Sequence, residues 1–138
     1  MEEYLKRIAE SLERAFPIEP DNYFFEKADA FIWEPAQNQF SEINDISTID
    51  ISLLKGMDEE IKQVRLNTEA FIEGKLANNV LVWGARGMGK STLVKSVVKV
   101  ANSKSKSLKI IEVARDDLGQ VAQLLKLIKK ISKKFIIF

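Results

Sequence analysis

The chain has 138 residues, 46% apolar and 30% charged, a balance that fits one globular domain and excludes a disordered segment. It contains no cysteine and no histidine, which excludes disulfides, zinc fingers, Cys or Ser-His nucleophile systems and histidine-based metal sites. The net charge of +1 conceals a division: residues 1–60 carry 15 acidic and 5 basic side chains, residues 61–138 carry 5 and 16, so a −10 half precedes a +11 half.

Leu5, Ile8, Leu12 and Phe16 recur at three- and four-residue spacing, which predicts an amphipathic helix ended by Pro17, with Pro20 confirming the break. Residues 17–50 show little periodicity but hold Tyr23, Phe24, Phe25, Phe31, Trp33 and Phe40; this irregular segment is expected to pack its rings on the rest of the domain, a partner surface being the other reading. Residues 1–50 are therefore read as an N-terminal helix plus an aromatic-rich irregular segment.

A second helix is predicted from Asp58, an N-cap residue, through Ile61, Val64, Thr68, Phe71 and Ile72 to Gly74, suited to a left-handed C-cap. Val80-Leu81-Val82-Trp83 then forms an unbroken apolar run of the kind found in strands buried on both faces. Leu93, Val94, Val97, Val98 and Ala101 predict a helix that the polar stretch Asn102–Ser107 breaks, and Leu108–Val113 predicts a strand. Asp116 and Asp117 are expected to cap a helix carrying Val121, Leu124, Leu125, Ile128 and Ile131, and a last strand covers Phe135–Phe138. The order strand, helix, strand, helix, strand specifies an α/β fold with a parallel sheet, flanking helices and right-handed crossovers.

Gly84-Ala85-Arg86-Gly87-Met88-Gly89-Lys90-Ser91 matches the P-loop (Walker A) pattern G-x-x-x-x-G-K-[ST] and falls between an apolar run and a helix, where phosphate chemistry requires it. Glycines let successive N–H groups point inward as an anion nest, and the helix start adds its positive dipole end. Lys90 is expected to reach the β- and γ-phosphates, Ser91 to ligate Mg²⁺, and Thr92 to support the α-phosphate. Arg86 and Met88 have no assigned role. The Leu53-Leu54-Lys55-Gly56-Met57 turn has two readings, a plain helix start or a cover for an adenine ring with Leu54 and Gly56 as contacts. No Asn-Lys-x-Asp stretch reads guanine, so ATP is the expected nucleotide. Hydrolysis also needs an acidic residue at the end of a neighbouring apolar strand. Asp116 and Asp117 are candidates but fit helix capping better, and Phe135–Phe138 reads as a Walker B strand with no acidic residue after it, so the catalytic residues stay unassigned.

From Asn78 through Ser91, with Leu108-Lys109-Ile110-Ile111-Glu112-Val113, the chain resembles a bacterial family of uncharacterised AAA+-like ATP-binding proteins, the domain-of-unknown-function family 815. The likeness includes Ile49-Asp50, Arg65-Leu66-Asn67-Thr68, Asp117-Leu118 and Phe135–Phe138, and spans about residues 30–138. It implies a P-loop NTPase sheet over residues 51–138. It also implies an Asp-Asp pair, sensor residues, an arginine finger and further strands after Phe138, including one between the P-loop strand and the Walker B strand; none is in this sequence. The expectation is a truncated or split family member whose incomplete sheet favours aggregation or a second chain that completes the ATPase domain.

Three functions remain open. The first is an AAA+-like ATP-binding protein that hydrolyses only if a partner supplies the acidic and arginine residues. The second is a non-catalytic remnant or interaction fragment with an idle P-loop. A P-loop kinase is the third, and the resemblance weighs against it. Nucleic acid is not the expected partner, because a phosphate site also demands positive potential and the acidic half can pack against the basic one. No apolar run approaches the roughly 18 residues of a membrane span, and Met1-Glu2-Glu3 does not open a signal peptide, so the expected location is the cytoplasm without membrane contact.

Overall fold

The computed structural model describes residues 1–16, 19–44, 46, 48–105 and 107–138. Pro17, expected to end the first helix, lies outside the described residues, as does Lys106 of the polar stretch. The fold is α/β, with helices on a four-stranded, mostly parallel sheet: β1 (Ala30–Glu34), β2 (Gln39–Ile43), β3 (Leu108–Glu112) and β4 (Lys134–Ile137), in the order β2-β1-β3-β4. β1 and β2 form an antiparallel hairpin with Trp33 opposite Phe40, and β3 runs parallel to both β1 and β4. Residues 30–43 are thus not irregular, as the sequence suggested. Their strands are five residues long, and β1 finds its parallel partner some 80 positions later, beyond the reach of local periodicity.

Both faces of the sheet are covered. On one lies α4 (Val121–Ile128) with a 3-10 turn at Phe24–Glu26, packed on Phe31, Trp33, Phe40, Ile111 and Val113. Phe25 is the centre of this layer: its ring centroid sits 4.9 Å from those of Phe31 and Phe135, both edge-on at 74°. The expectation that the aromatics pack inward holds for Phe24, Phe25, Phe31, Trp33 and Phe40, while Tyr23 stays exposed. On the other face, α2 (Asp58–Ile72) and α3 (Lys90–Ser105) cover Ala30, Leu108 and Ile110 through Phe71, Ile72 and Val98. Leu54, Val64, Leu93 and Val97 join these two helices.

The first helix, α1 (Glu2–Ala15), forms as the spacing predicts, yet buries no residue; Leu5, Ile8, Leu12 and Phe16 all face outward. α2 starts at Asp58 with Met57 as its N-cap, so Asp58, Glu59 and Glu60 fill the first turn, where the helix dipole favours them, and Gly74 takes φ +73 after the last turn. α3 does not break at Asn102 but continues to Ser105. Asn102 is buried because its amide donates to Leu108 O at 2.6 Å and accepts from Leu108 N–H at 3.1 Å, bracketing the first residue of β3. Asp116 and Asp117 lie in a 3-10 turn, Arg115–Gln120, ahead of α4, and no side chain caps either element; they supply charge to a first turn and no cap bond.

The largest correction concerns the run before the glycine-rich loop. Residues 76–84 form neither helix nor strand, and Leu81 and Trp83 are 85% and 86% exposed. A strand is made by its neighbours' hydrogen bonds, and among the described residues none lies beside this run.

Truncating Phe25 to Ala empties the centre of the aromatic layer and should cost about 3–5 kcal/mol, measured by urea unfolding. Asn102→Ala leaves both main-chain groups of buried Leu108 without their partner and should cost about 1–3 kcal/mol in the same assay. A loss under about 0.5 kcal/mol would show that water replaces the bracket.

Candidate functional site

The loop Gly84–Gly89 leads into the first turn of α3, which closes when Leu93 N–H donates to Gly89 O at 2.8 Å. Gly87 and Gly89 take φ of +82 and +79, the left-handed region where a side chain costs roughly 1–2 kcal/mol. Residues 86 and 87 form a turn, and among the described residues the N–H groups of residues 85–89 donate no close, well-aligned backbone hydrogen bond. The first N–H groups of α3 likewise have no acceptor within their own helix, and they lie at its positive end. The loop is therefore a cluster of available donors next to a favourable dipole, with the electrostatics of an anion site.

Lys90 and Thr92 are half-buried, and Ser91 is exposed. The Lys90 ammonium is folded back on the loop, donating to Gly84 O at 2.9 Å and Ala85 O at 2.6 Å. An anion in the nest would have to draw it off these carbonyls. Arg86 and Met88 extend from the loop as exposed side chains.

The turn before α2 is brought against this loop. A Cβ built on Gly89 would lie 3.7 Å from Leu54 Cδ2 and 3.8 Å from Met57 Sδ. Leu54 is buried, whereas Gly56, at φ +72, is exposed with open space around it. Asp50 shapes the approach: its carboxylate accepts from the Ser52 hydroxyl at 2.6 Å and the Ser52 N–H at 2.9 Å, which hold it below the usual carboxylate range. Ser96 donates to Ile49 O at 3.0 Å and Lys99 to Thr48 Oγ1 at 2.9 Å, tying the segment to α3. Sequence reading missed Ser96 and Lys99, since a helix serine or lysine carries no signal of a partner some 50 residues away.

It also missed Asn67. From the interior of α2 this side chain donates to Asn78 O at 2.7 Å and accepts from Asn78 N–H at 2.8 Å, fixing where the segment before the loop begins. An amide inside a helix, where it is neither a cap nor a strong helix former, was the available signal.

The carboxylates at the far end of β3 do not gather into a site. Glu112 pairs with Lys95 at 3.2 Å, and the Lys95 ammonium also sits 5.4 Å from the Phe138 ring centroid. Asp116 is exposed and Asp117 half-buried in the turn that follows. Among the described residues no group of three or more His, Cys, Asp or Glu side chains could hold a metal ion, and no helix is long and apolar enough to cross a membrane.

No curated protein and no solved structure matches the chain. Residues 26–138, from the Phe25 turn through the loop to the end of β4, match the family described as "Protein of unknown function (DUF815)". With that match over most of its length, the chain belongs to the DUF815 family.

Proposed function

We propose that the chain is an ATP-binding protein of P-loop type, with the nucleotide phosphates held by the loop 84–91. The observation that carries this reading is the set of N–H groups along residues 85–89 that donate no close, well-aligned backbone hydrogen bond, made possible by left-handed Gly87 and Gly89, at the start of a sixteen-residue helix. Lys90, on leaving Gly84 O and Ala85 O, would pair with the β- and γ-phosphates; Ser91, exposed at the helix start, would ligate Mg²⁺; Thr92 would support the α-phosphate. Contact between Gly89 and the Leu54–Met57 turn supports the second reading of that turn, in which Leu54 and Gly56 border an adenine ring. Mg²⁺ would neutralise charge between the β- and γ-phosphates.

Turnover is a separate matter. Glu112 is already committed to Lys95, and Asp116 and Asp117 sit in a turn without a metal cluster, so this reading gives the chain binding and leaves hydrolysis to a second chain that brings a carboxylate and an arginine. The idle-loop alternative draws on one observation, the Lys90 ammonium satisfied by its own loop.

Titration calorimetry with Mg-ATP should show 1:1 binding that Lys90→Ala weakens at least tenfold, the loss of a charge-assisted phosphate contact worth about 1.5–3 kcal/mol. Absence of binding by the intact chain would establish the idle loop. Gly89→Val should abolish nucleotide binding too, because φ +79 opposes a branched side chain. ATP hydrolysis by the chain alone should stay at the buffer rate; measurable turnover would require a carboxylate of this chain to act.

A further inference from the structure

A cavity of about 590 Å³ opens at the far end of α3 from the glycine-rich loop, among Lys99 and Ser103 of that helix, Lys109 of β3, Lys133, and the carboxylates of Glu26 and Asp29. The helix rise puts about 14–20 Å between Lys90 and the stretch Lys99–Ser103, so the cavity and the loop are separate places.

Its charges are layered. The Lys109 and Lys133 side chains are 6% and 21% exposed, whereas their partners Asp29 and Glu26, each at 2.8 Å, are 58% and 62% exposed. Positive charge therefore lies deep and negative charge at the rim. Lys99 adds a third ammonium, whose partner among the described residues is a neutral one, the Thr48 hydroxyl at 2.9 Å. The lining thus holds three cations against two anions. Lys133 holds the Glu26 carboxyl below its ordinary value and the charge of Lys109 adds to the effect, so the two ammonium groups act on one space.

The donors are not used up. Lys109 spends two of its three N–H groups, on Ala28 O and Asp29, while Lys99 and Lys133 spend one each, so every one of the three keeps an N–H without an acceptor among the described residues. Glu26 and Asp29 each accept through one oxygen and keep the other.

We infer that this cavity binds a small phosphorylated polyol, phosphoryl group inward. Three ammonium groups from three directions suit the oxygens of a tetrahedral phosphoryl group, for which lysine serves as a point charge, whereas a planar carboxylate is matched by the fork of an arginine. The hydroxyls of the polyol donate to the spare carboxylate oxygens at the rim, which a bare phosphate would meet only with its own negative charge. The volume agrees, since it falls within the range of about 300–1,000 Å³ for small-molecule sites. The site stands on these residues alone and does not depend on the nucleotide reading.

The probe is glycerol phosphate, added to the full chain carrying Lys90→Ala, which removes the lysine contact to phosphate at the loop; ionic strength is held constant with chloride and thermal unfolding is the readout. Tm should rise by about 3–5 °C once the probe exceeds its Kd tenfold. Lys99→Gln, at an exposed position bonded only to Thr48 among the described residues, should cut that rise by at least half, and Lys133→Gln should remove it. Lys104→Gln, an exposed α3 lysine outside the cavity, should leave the rise unchanged. Glycerol should give no rise, and inorganic phosphate less than half of it. No rise with glycerol phosphate, an undiminished rise in Lys99→Gln, or an equal loss in Lys104→Gln overturns the site. A rise with inorganic phosphate as large as that with the ester overturns the polyol class.

Discussion

β3 is hydrogen-bonded on both sides, to β1 and to β4, and covered on both faces, and the rest of the sheet and the layers on its two faces take their position from that doubly satisfied strand. Leu108 and Ile110 receive α3, while Ile111 receives the aromatic layer around Phe25. The two layers cannot be exchanged, because the pleat sends alternate residues to opposite faces and a one-residue slip would exchange them. Lys109 is the one buried charged residue of β3 and is accommodated by donating to Ala28 O and the Asp29 carboxylate, both at 2.8 Å. Trp33 is the cost of the tight aromatic side: its indole N–H is buried without a partner among the described residues.

The same rule explains why two similar apolar runs have different fates. Leu-Lys-Ile-Ile-Glu has neighbours and becomes a strand; Val-Leu-Val-Trp has none and stays without secondary structure, although Asn67 grips its start and Val82 reaches the Leu54, Val64, Leu93 and Val97 cluster. The glycine-rich loop therefore depends less on the run before it than on α3 behind it and on the Asp50–Met57 turn beside it. Those two are locked by Leu54 packing and by the hydrogen bonds of Ser96 and Lys99. In this arrangement the donor cluster is held from the helix side and open toward solvent.

Local signals were legible in the sequence wherever a residue's partner is close by. α1, α2, α4, β3 and β4 follow from apolar spacing, and the loop glycines from their pattern. The Leu54–Met57 turn was read either as a plain helix start or as a cover for an adenine ring, and its contact with the loop is a product of tertiary packing that no local signal carries. What periodicity misses is whatever a distant residue decides. The β1–β2 hairpin was hidden because strands of five residues with a β3 partner far along the chain leave little period. Asn102 looked like a helix breaker until its amide is seen bracketing Leu108. α1 shows the converse: its spacing predicted the helix and said nothing about whether its stripe would find a surface.

Charge division along the chain has a structural counterpart. Lys109–Asp29, Lys130–Glu19 and Lys133–Glu26 each join the basic half to the acidic one, so the halves do lie against each other. The Lys133 hydrogen bond and charge hold the exposed Glu26 carboxyl below its ordinary value. A carboxyl lowered by folding stabilises the fold above its unfolded pKa, and that contribution fades as pH falls through the folded one. Exposed pairs are worth little individually. Their effect is one of distribution: they spend acidic groups on the α4 side, while Arg86 and Lys90 at the loop meet no carboxylate within salt-bridge distance among the described residues. The positive charge beside the glycine-rich loop is thereby left without an acidic partner, which the chain's near-neutral total charge hides.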